Sequence, residues 1–175
     1  MCIHKQGVVD ADMKIIAFDP GYDRCGIAYI ERSADGKERL VESTCITTNR
    51  KDVFENRIYD ISVIVRNWIE KHNPDVCVLE TLFFAKNQKT AMRVAEARGA
   101  LLLTVTQAGV PIHEFTPKEV KVAVTGDGAA SKHQVMSMIP RLLSLKKEIK
   151  FDDEYDAIAV GLTASAILRN TNDIE

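Results

Sequence analysis

Four carboxylates in this chain have the type and placing for metal chemistry: Asp19, Glu80, Asp153 and Asp156. Asp19 closes the apolar run Lys14–Phe18, and Glu80 closes the apolar run Val76–Leu79. Asp153 and Asp156 are three residues apart, so on a helix they share a face with about 5–6 Å between Cβ atoms. Hard oxygen ligands of this kind suit Mg²⁺ or Mn²⁺. Gathered from two strand ends and one helix, they would suit two ions about 3.5–4 Å apart, an arrangement that serves phosphodiester hydrolysis. Simpler accounts exist for some of them. Asp19 precedes Pro20-Gly21 and could merely cap a turn. Asp152 and Glu154 read as acids favoured by the positive end of a helix. That account is weak for Asp156, which lies inside the apolar segment AIAVGLTASAIL. Buried charges are paired or coordinate metal, and within the helix no Arg or Lys flanks Asp153 and Asp156; the nearest cations in sequence, Lys146, Lys147 and Lys150, precede it. A Gly-Lys-Ser phosphate loop is absent, which argues against nucleotide hydrolysis by that route.

The elements that must position these acids follow from patterning. Lys14–Phe18 reads as a buried strand, turned by Pro20-Gly21. Gly26–Glu31 and Arg39–Thr47 read as two further strands around the polar turn Ser33–Gly36, completing an antiparallel meander. Asp52 and Glu55 suggest a helix start of capping-box type. Phe54, Ile58, Ile61, Val65 and Ile69 then form one apolar stripe, which Asn73-Pro74 ends. Val76–Leu79 reads as a central parallel strand. Lys89–Ala108 is expected to be a long helix with small residues at Ala95, Gly99 and Ala100. Ile112–Phe115 is a strand, and Thr116, Pro117 and Glu119 open a helix. Ser131 starts another, and Asp153–Leu168 forms a buried last helix. The expected architecture is a mixed α/β sheet with helices on both sides, in a single domain over 13–170. Sites in such sheets lie at the carboxyl ends of strands, where Asp19 and Glu80 both fall. Residues 1–12 show no periodicity and read as an extension or disordered arm, with Met13 a candidate start.

The bulk properties fit this picture. With 175 residues, 46% hydrophobic and 27% charged, the chain is of ordinary globular type. No apolar run approaches the ~20 residues of a membrane helix, and the N-terminus lacks a secretory layout. Four scattered cysteines make zinc improbable and suggest free thiols in the cytoplasm. His4, His72 and His133 lack ligand spacing, and His113 reads as structural.

The net charge of −2 counts weakly against nucleic-acid binding, but the cations are clustered. Lys118, Lys121, Lys132, Arg141, Lys146, Lys147 and Lys150 face only three acids between positions 118 and 150. Lys86, Lys89, Arg93 and Arg98 form a second group. Phe83 and Phe84 sit in a polar loop, where an aromatic can wedge into or stack on bases.

Four ordered stretches carry a resemblance: FDPGYDRCGIAY, VLETLFFAKNQKTAMRVAEARGA, EVKVAVTGDGAASKHQV and DDEYDAIAVGLTAS. Together they closely resemble the bacterial RuvC Holliday-junction resolvases, over nearly all of Met13 to Leu168. The resemblance implies a ribonuclease H-like, five-stranded fold, a homodimer and Mg²⁺-supported symmetric nicking of four-way DNA junctions, with two ions in each site. It implies metal-binding, catalytic roles for Asp19, Glu80, Asp153 and Asp156. Some members have His where this chain has Asp153, so that residue is either a ligand or a general base. Phe83 falls on the aromatic that works at the junction centre. Lys121 and Lys132 fall near the scissile phosphate, and Lys86 joins the DNA-binding set. The helix Lys89–Ala108 falls at the subunit interface, and the family implies a branch-migration helicase partner. A catalytically silent junction-binding protein is the rival reading. An actin-like phosphotransferase lobe is a more distant one, since that design needs two lobes.

Overall fold

The computed structural model describes residues 12–81, 88–145 and 148–168. Five strands make one sheet in the order β3-β2-β1-β4-β5. These are β1 (Met13–Asp19), β2 (Arg24–Arg32), β3 (Glu38–Thr47), β4 (Val76–Glu80) and β5 (Ile112–Phe115). The first three form the expected antiparallel meander. β1, β4 and β5 run parallel, so the sheet is mixed. The helices are α1 (Phe54–His72), α2 (Gln88–Gln107), α3 (Pro117–Thr125), α4 (Lys132–Leu142) and α5 (Asp152–Ile167). No helix among the described residues is long and apolar enough to cross a membrane.

Alternation along the strands divides the core in two. Ile16, Phe18, Ile27, Cys77 and Leu79 point to one face and pack with Ile61 and Val65 of α1 and Leu101 and Val105 of α2. Ile15, Ala17, Ala28, Val76 and Val78 point to the other and pack with α3, α4 and α5. Asp19 and Glu80 continue this second phase.

The first helix departs from the expected start. Its N-cap is Val53, with no capping side-chain hydrogen bond. Asp52 instead accepts a hydrogen bond from Asn49 Nδ2 at 3.1 Å, within the preceding turn. The other signals hold. Asn73 ends α1 in the left-handed region, with φ of 43°. Thr116 and Ser131 each cap a helix in a reciprocal box, with Glu119 and Gln134.

Helix α5 is buried along most of its length, as its composition predicts. Its close seat on the sheet depends on two glycines. A Cβ at Gly26 would lie 1.9 Å from the Asp153 carbonyl oxygen, and one at Gly161 would lie 2.7 Å from Ile30 Cδ1. The far end of α5 is satisfied by buried Arg32, which donates from Nη1 to the carbonyls of Ser165 (2.8 Å) and Leu168 (2.7 Å).

Candidate active site

The parallel pairing of β1 with β4 sets Phe18 beside Leu79, so Asp19 and Glu80 emerge together at the carboxyl edge of the sheet. Neighbouring strands stand about 4.8 Å apart, which keeps both carboxyls in one small volume. Register is held at the other end of these strands. There, Asp75 Oδ2 accepts from the Lys14 amide at 2.7 Å, and the Asp75 amide donates to the Lys14 carbonyl at 2.9 Å. Gly26 is the cross-strand partner of Asp19. Because Gly26 lacks a side chain, the first turn of α5 drops onto it and brings Asp153 to Asp19.

Electrostatics reports the convergence. Burial, followed by the charges of Asp156, Asp153 and Glu80, pushes the Asp19 carboxyl up to about 7. Glu80 is also raised, chiefly by burial and then by Asp156. All four acids expected to act together are thus near neighbours. Asp153 and Asp156 are raised mainly by burial as well.

Two cations share the site, both from elements distant in sequence. Lys132 Nζ, at the start of α4, reaches Asp156 Oδ2 at 2.7 Å and Asp152 Oδ2 at 2.9 Å. Arg24 Nε, at the start of β2, lies 2.9 Å from Asp153 Oδ2, and its Nη2 lies 3.4 Å from Asp152 Oδ1. Neither cation reverses the upward shift of its buried carboxylate, so desolvation outweighs the pair at both positions. Lys121 acts on Glu80 from α3, and its field lowers the Glu80 shift. Lys121 and Lys132 thus both act on the carboxylate cluster. Phe83 and Lys86 fall outside the described residues.

The neighbours of Asp153 have other roles. Asp152 is the counter-ion shared by Arg24 and Lys132, and Lys132 holds its carboxyl below the ordinary range. Glu154 is buried rather than a solvated helix-end acid, and it accepts from Ser43 Oγ at 2.7 Å. Arg24 was not singled out from sequence. It stands at the start of β2, far from Asp153 in sequence, and only the fold brings it to α5.

Among the described residues, no three His, Cys, Asp or Glu side chains are gathered tightly enough to enclose an ion in this arrangement. The donor set nevertheless fits a divalent cation. It consists of carboxylate oxygens that repel one another, and buried Asp153 Oδ2 meets Arg24 Nε as an ion pair at 2.9 Å without a geometrically formed hydrogen bond. Asp19 is the most strongly perturbed of the four, and burial with like charges is the environment that a cation relieves.

Residues 15–164 match the model of the crossover junction endodeoxyribonuclease RuvC family. The chain belongs to the RuvC family. A crossover junction endodeoxyribonuclease RuvC of Thermosipho melanesiensis is 41% identical over 148 residues, covering 85% of this chain and 94% of the relative. A RuvC of Brachyspira hyodysenteriae is 37% identical over 163 residues, covering 93% of this chain and all of the relative. The chain is similar to T. thermophilus RuvC solved in complex with Holliday junction substrate. That match has a TM-score of 0.83 and 29% identity, covering 90% of this chain and 95% of that one. The five-stranded mixed sheet is thus the ribonuclease H-like fold of RuvC resolvases.

Proposed function

We propose that this chain is a Mg²⁺-dependent endonuclease that resolves four-way DNA junctions by paired symmetric nicks. The observation that carries the reading is the meeting of Asp19, Glu80, Asp153 and Asp156 at one sheet edge, with Lys121 and Lys132 beside them. Membership of the RuvC family supports it, as does the likeness to a RuvC solved on Holliday junction substrate.

Asp19, Glu80, Asp153 and Asp156 would hold the ions. Once bound, these supply an ionised attacking water and offset charge on the leaving 3′ oxygen. The protein's own contribution is position and field. Asp19 and Glu80 stand on rigid, hydrogen-bonded strand ends, so their oxygens need little reorganisation. Lys132, drawn to the acids by Asp152 and Asp156, is placed to bind a phosphate oxygen at the same edge. Lys121 offsets charge from the Glu80 side. Asp153, once released from its ion pair with Arg24, can serve as ligand or accept a proton.

A homodimer follows from the same family reading. On α2, a Cβ at Gly99 would meet open space within the protomer, and Met92 is exposed. Both leave that helix a face for a second copy.

The test is incubation with a synthetic four-way junction and Mg²⁺. Two nicks at symmetry-related positions are expected, with linear duplex left intact and no product from Asp19→Asn. Equal cutting of linear duplex, or cutting that survives Asp19→Asn, would contradict the reading. A gel shift of the junction with no product under Mg²⁺ or Mn²⁺ would favour the catalytically silent binder.

A further inference from the structure

A recess of about 350 Å³ adjoins the acids, with Tyr22, Asp23, Arg24, Arg50 and Asp153 in its lining. Asp153 belongs both to this recess and to the carboxylate cluster. The recess is rich in arginine. Arg24 lines it while paired to Asp152 and Asp153. Arg50 lines it with its side chain 79% exposed. Arg93, on the outer turns of α2, places its guanidinium 5.9 Å from the Tyr22 ring centre and 5.2 Å from that of Phe54.

Arg93 rests on an aromatic pair. Tyr22 and Phe54 meet edge to face at 5.5 Å. Buried Arg57 supports Tyr22 at 5.1 Å from its ring centre and donates to the Tyr22 carbonyl at 3.0 Å. It also pairs with Asp23, the carboxylate that Arg50 meets at 3.1 Å. Asp23 therefore answers two guanidiniums at once; with Arg24 set against Asp152 and Asp153, the four arginines Arg24, Arg50, Arg57 and Arg93 exceed the three carboxylates they meet by one. The forked guanidiniums of Arg93, resting on Tyr22 and Phe54, and of exposed Arg50 match the planar, bidentate demand of a phosphate diester.

The position gives the occupant. Lys121 and Lys132 come from α3 and α4, packed on one face of the sheet. Arg93 comes from α2, packed on the other. The acids lie at the edge between these two groups of cations. We propose that the Tyr22–Arg24–Arg50–Arg93 recess binds a backbone phosphate of the cut strand, next to the scissile one. The cut strand then crosses the sheet edge from the lysine group to the arginine group. Arg24, which touches Asp153 and lines the recess, is the positioning residue that joins the two spaces. This subsite rests on the endonuclease reading above.

The experiment measures junction affinity by fluorescence anisotropy with Ca²⁺ present. It uses junctions carrying a single neutral methylphosphonate at each successive position near the cut. Wild type is expected to lose five- to tenfold affinity at one position within about two nucleotides of the cut. Arg50→Ala and Arg93→Ala are each expected to lose a similar amount on unmodified junction, with a shallower salt slope by about one. At the sensitive position each variant should show no further loss. Thermal melts of both variants should match wild type, since both side chains are exposed. Unchanged affinity and slope, or a methylphosphonate penalty that persists in both variants, would overturn the subsite while junction cutting by wild type stood. Failure of wild type to bind or cut any junction would overturn the endonuclease reading and the subsite with it.

Discussion

Asp19 is costly to the metal-free protein. An aspartate in the unfolded chain loses its proton near pH 4, whereas folded Asp19 keeps its proton to about 7. Between these values the folded state binds more protons than the unfolded one, so raising the pH lowers stability. The contribution of Asp19 is therefore fully favourable below pH 4 and is lost as the pH rises through 7. Thermal melts without divalent metal should show this decline between pH 4 and 7. Asp19→Asn should flatten it and raise the melting temperature at pH 8, by ~2–4 °C for each kcal/mol recovered. Mg²⁺ should stabilise wild type more at pH 8 than at pH 5, and should do little for the variant. A variant that melts below wild type at pH 8 would contradict the idea that ionised Asp19 is strained. Lys132 offers a second test. It answers Asp152 and Asp156, so it competes with divalent cations while it also prepares the site for phosphate. Lys132→Ala should lower the Mg²⁺ concentration needed for half-maximal thermal stabilisation, yet slow junction cutting at least tenfold. A higher Mg²⁺ requirement would show that Lys132 does not compete.

At the scale of elements, the seat of α5 on β2 decides whether the acids meet. Gly26→Ala puts a methyl group against the rigid carbonyl of Asp153, so the first turn of α5 must move. Gly161→Ala meets the flexible end of Ile30, with Ala17 Cβ at 3.2 Å, and can be absorbed in part. Overpacking of this kind costs about 1–3 kcal/mol. Gly26→Ala should thus lose most of its cutting activity along with several degrees of stability, whereas Gly161→Ala should lose stability and keep much of its activity. Equal activity losses would show that α5 shifts as a unit. Much of this layout was legible in the chain. The two strand-ending acids, the Thr116 and Ser131 caps and the buried last helix each follow from local residue types. The cations facing Asp153 and Asp156 do not, since Arg24 and Lys132 reach them across the fold rather than along the helix. Nor does the start of α1, where Asn49 engages Asp52 before it can cap. Glu154 looks like a helix-end acid in sequence, and only the packing of β3 against α5 shows it buried on Ser43.

For the whole molecule, the division of labour follows the sheet. One face, with α3, α4 and α5, brings two acids and the lysines to the carboxyl edge. The other, with α1 and α2, brings the arginine recess to the same edge and leaves the outer side of α2 open. Two such edges in a homodimer would suit paired nicks on a junction with two-fold symmetry. Sedimentation should therefore show a species of twice the chain mass. Gly99→Arg on α2 should shift it towards the monomer and uncouple the two nicks. A monomer that still cuts both strands in concert would contradict that assembly. Junction cutting by this site would require divalent ions to replace Arg24 and Lys132 among the four converging carboxyls. The most direct measurement is anomalous diffraction from a crystal soaked in Mn²⁺. Peaks bounded by Asp19, Glu80, Asp153 and Asp156 are predicted. Peaks elsewhere, or none, with Arg24 still on Asp153 and Lys132 still on Asp156, would contradict it.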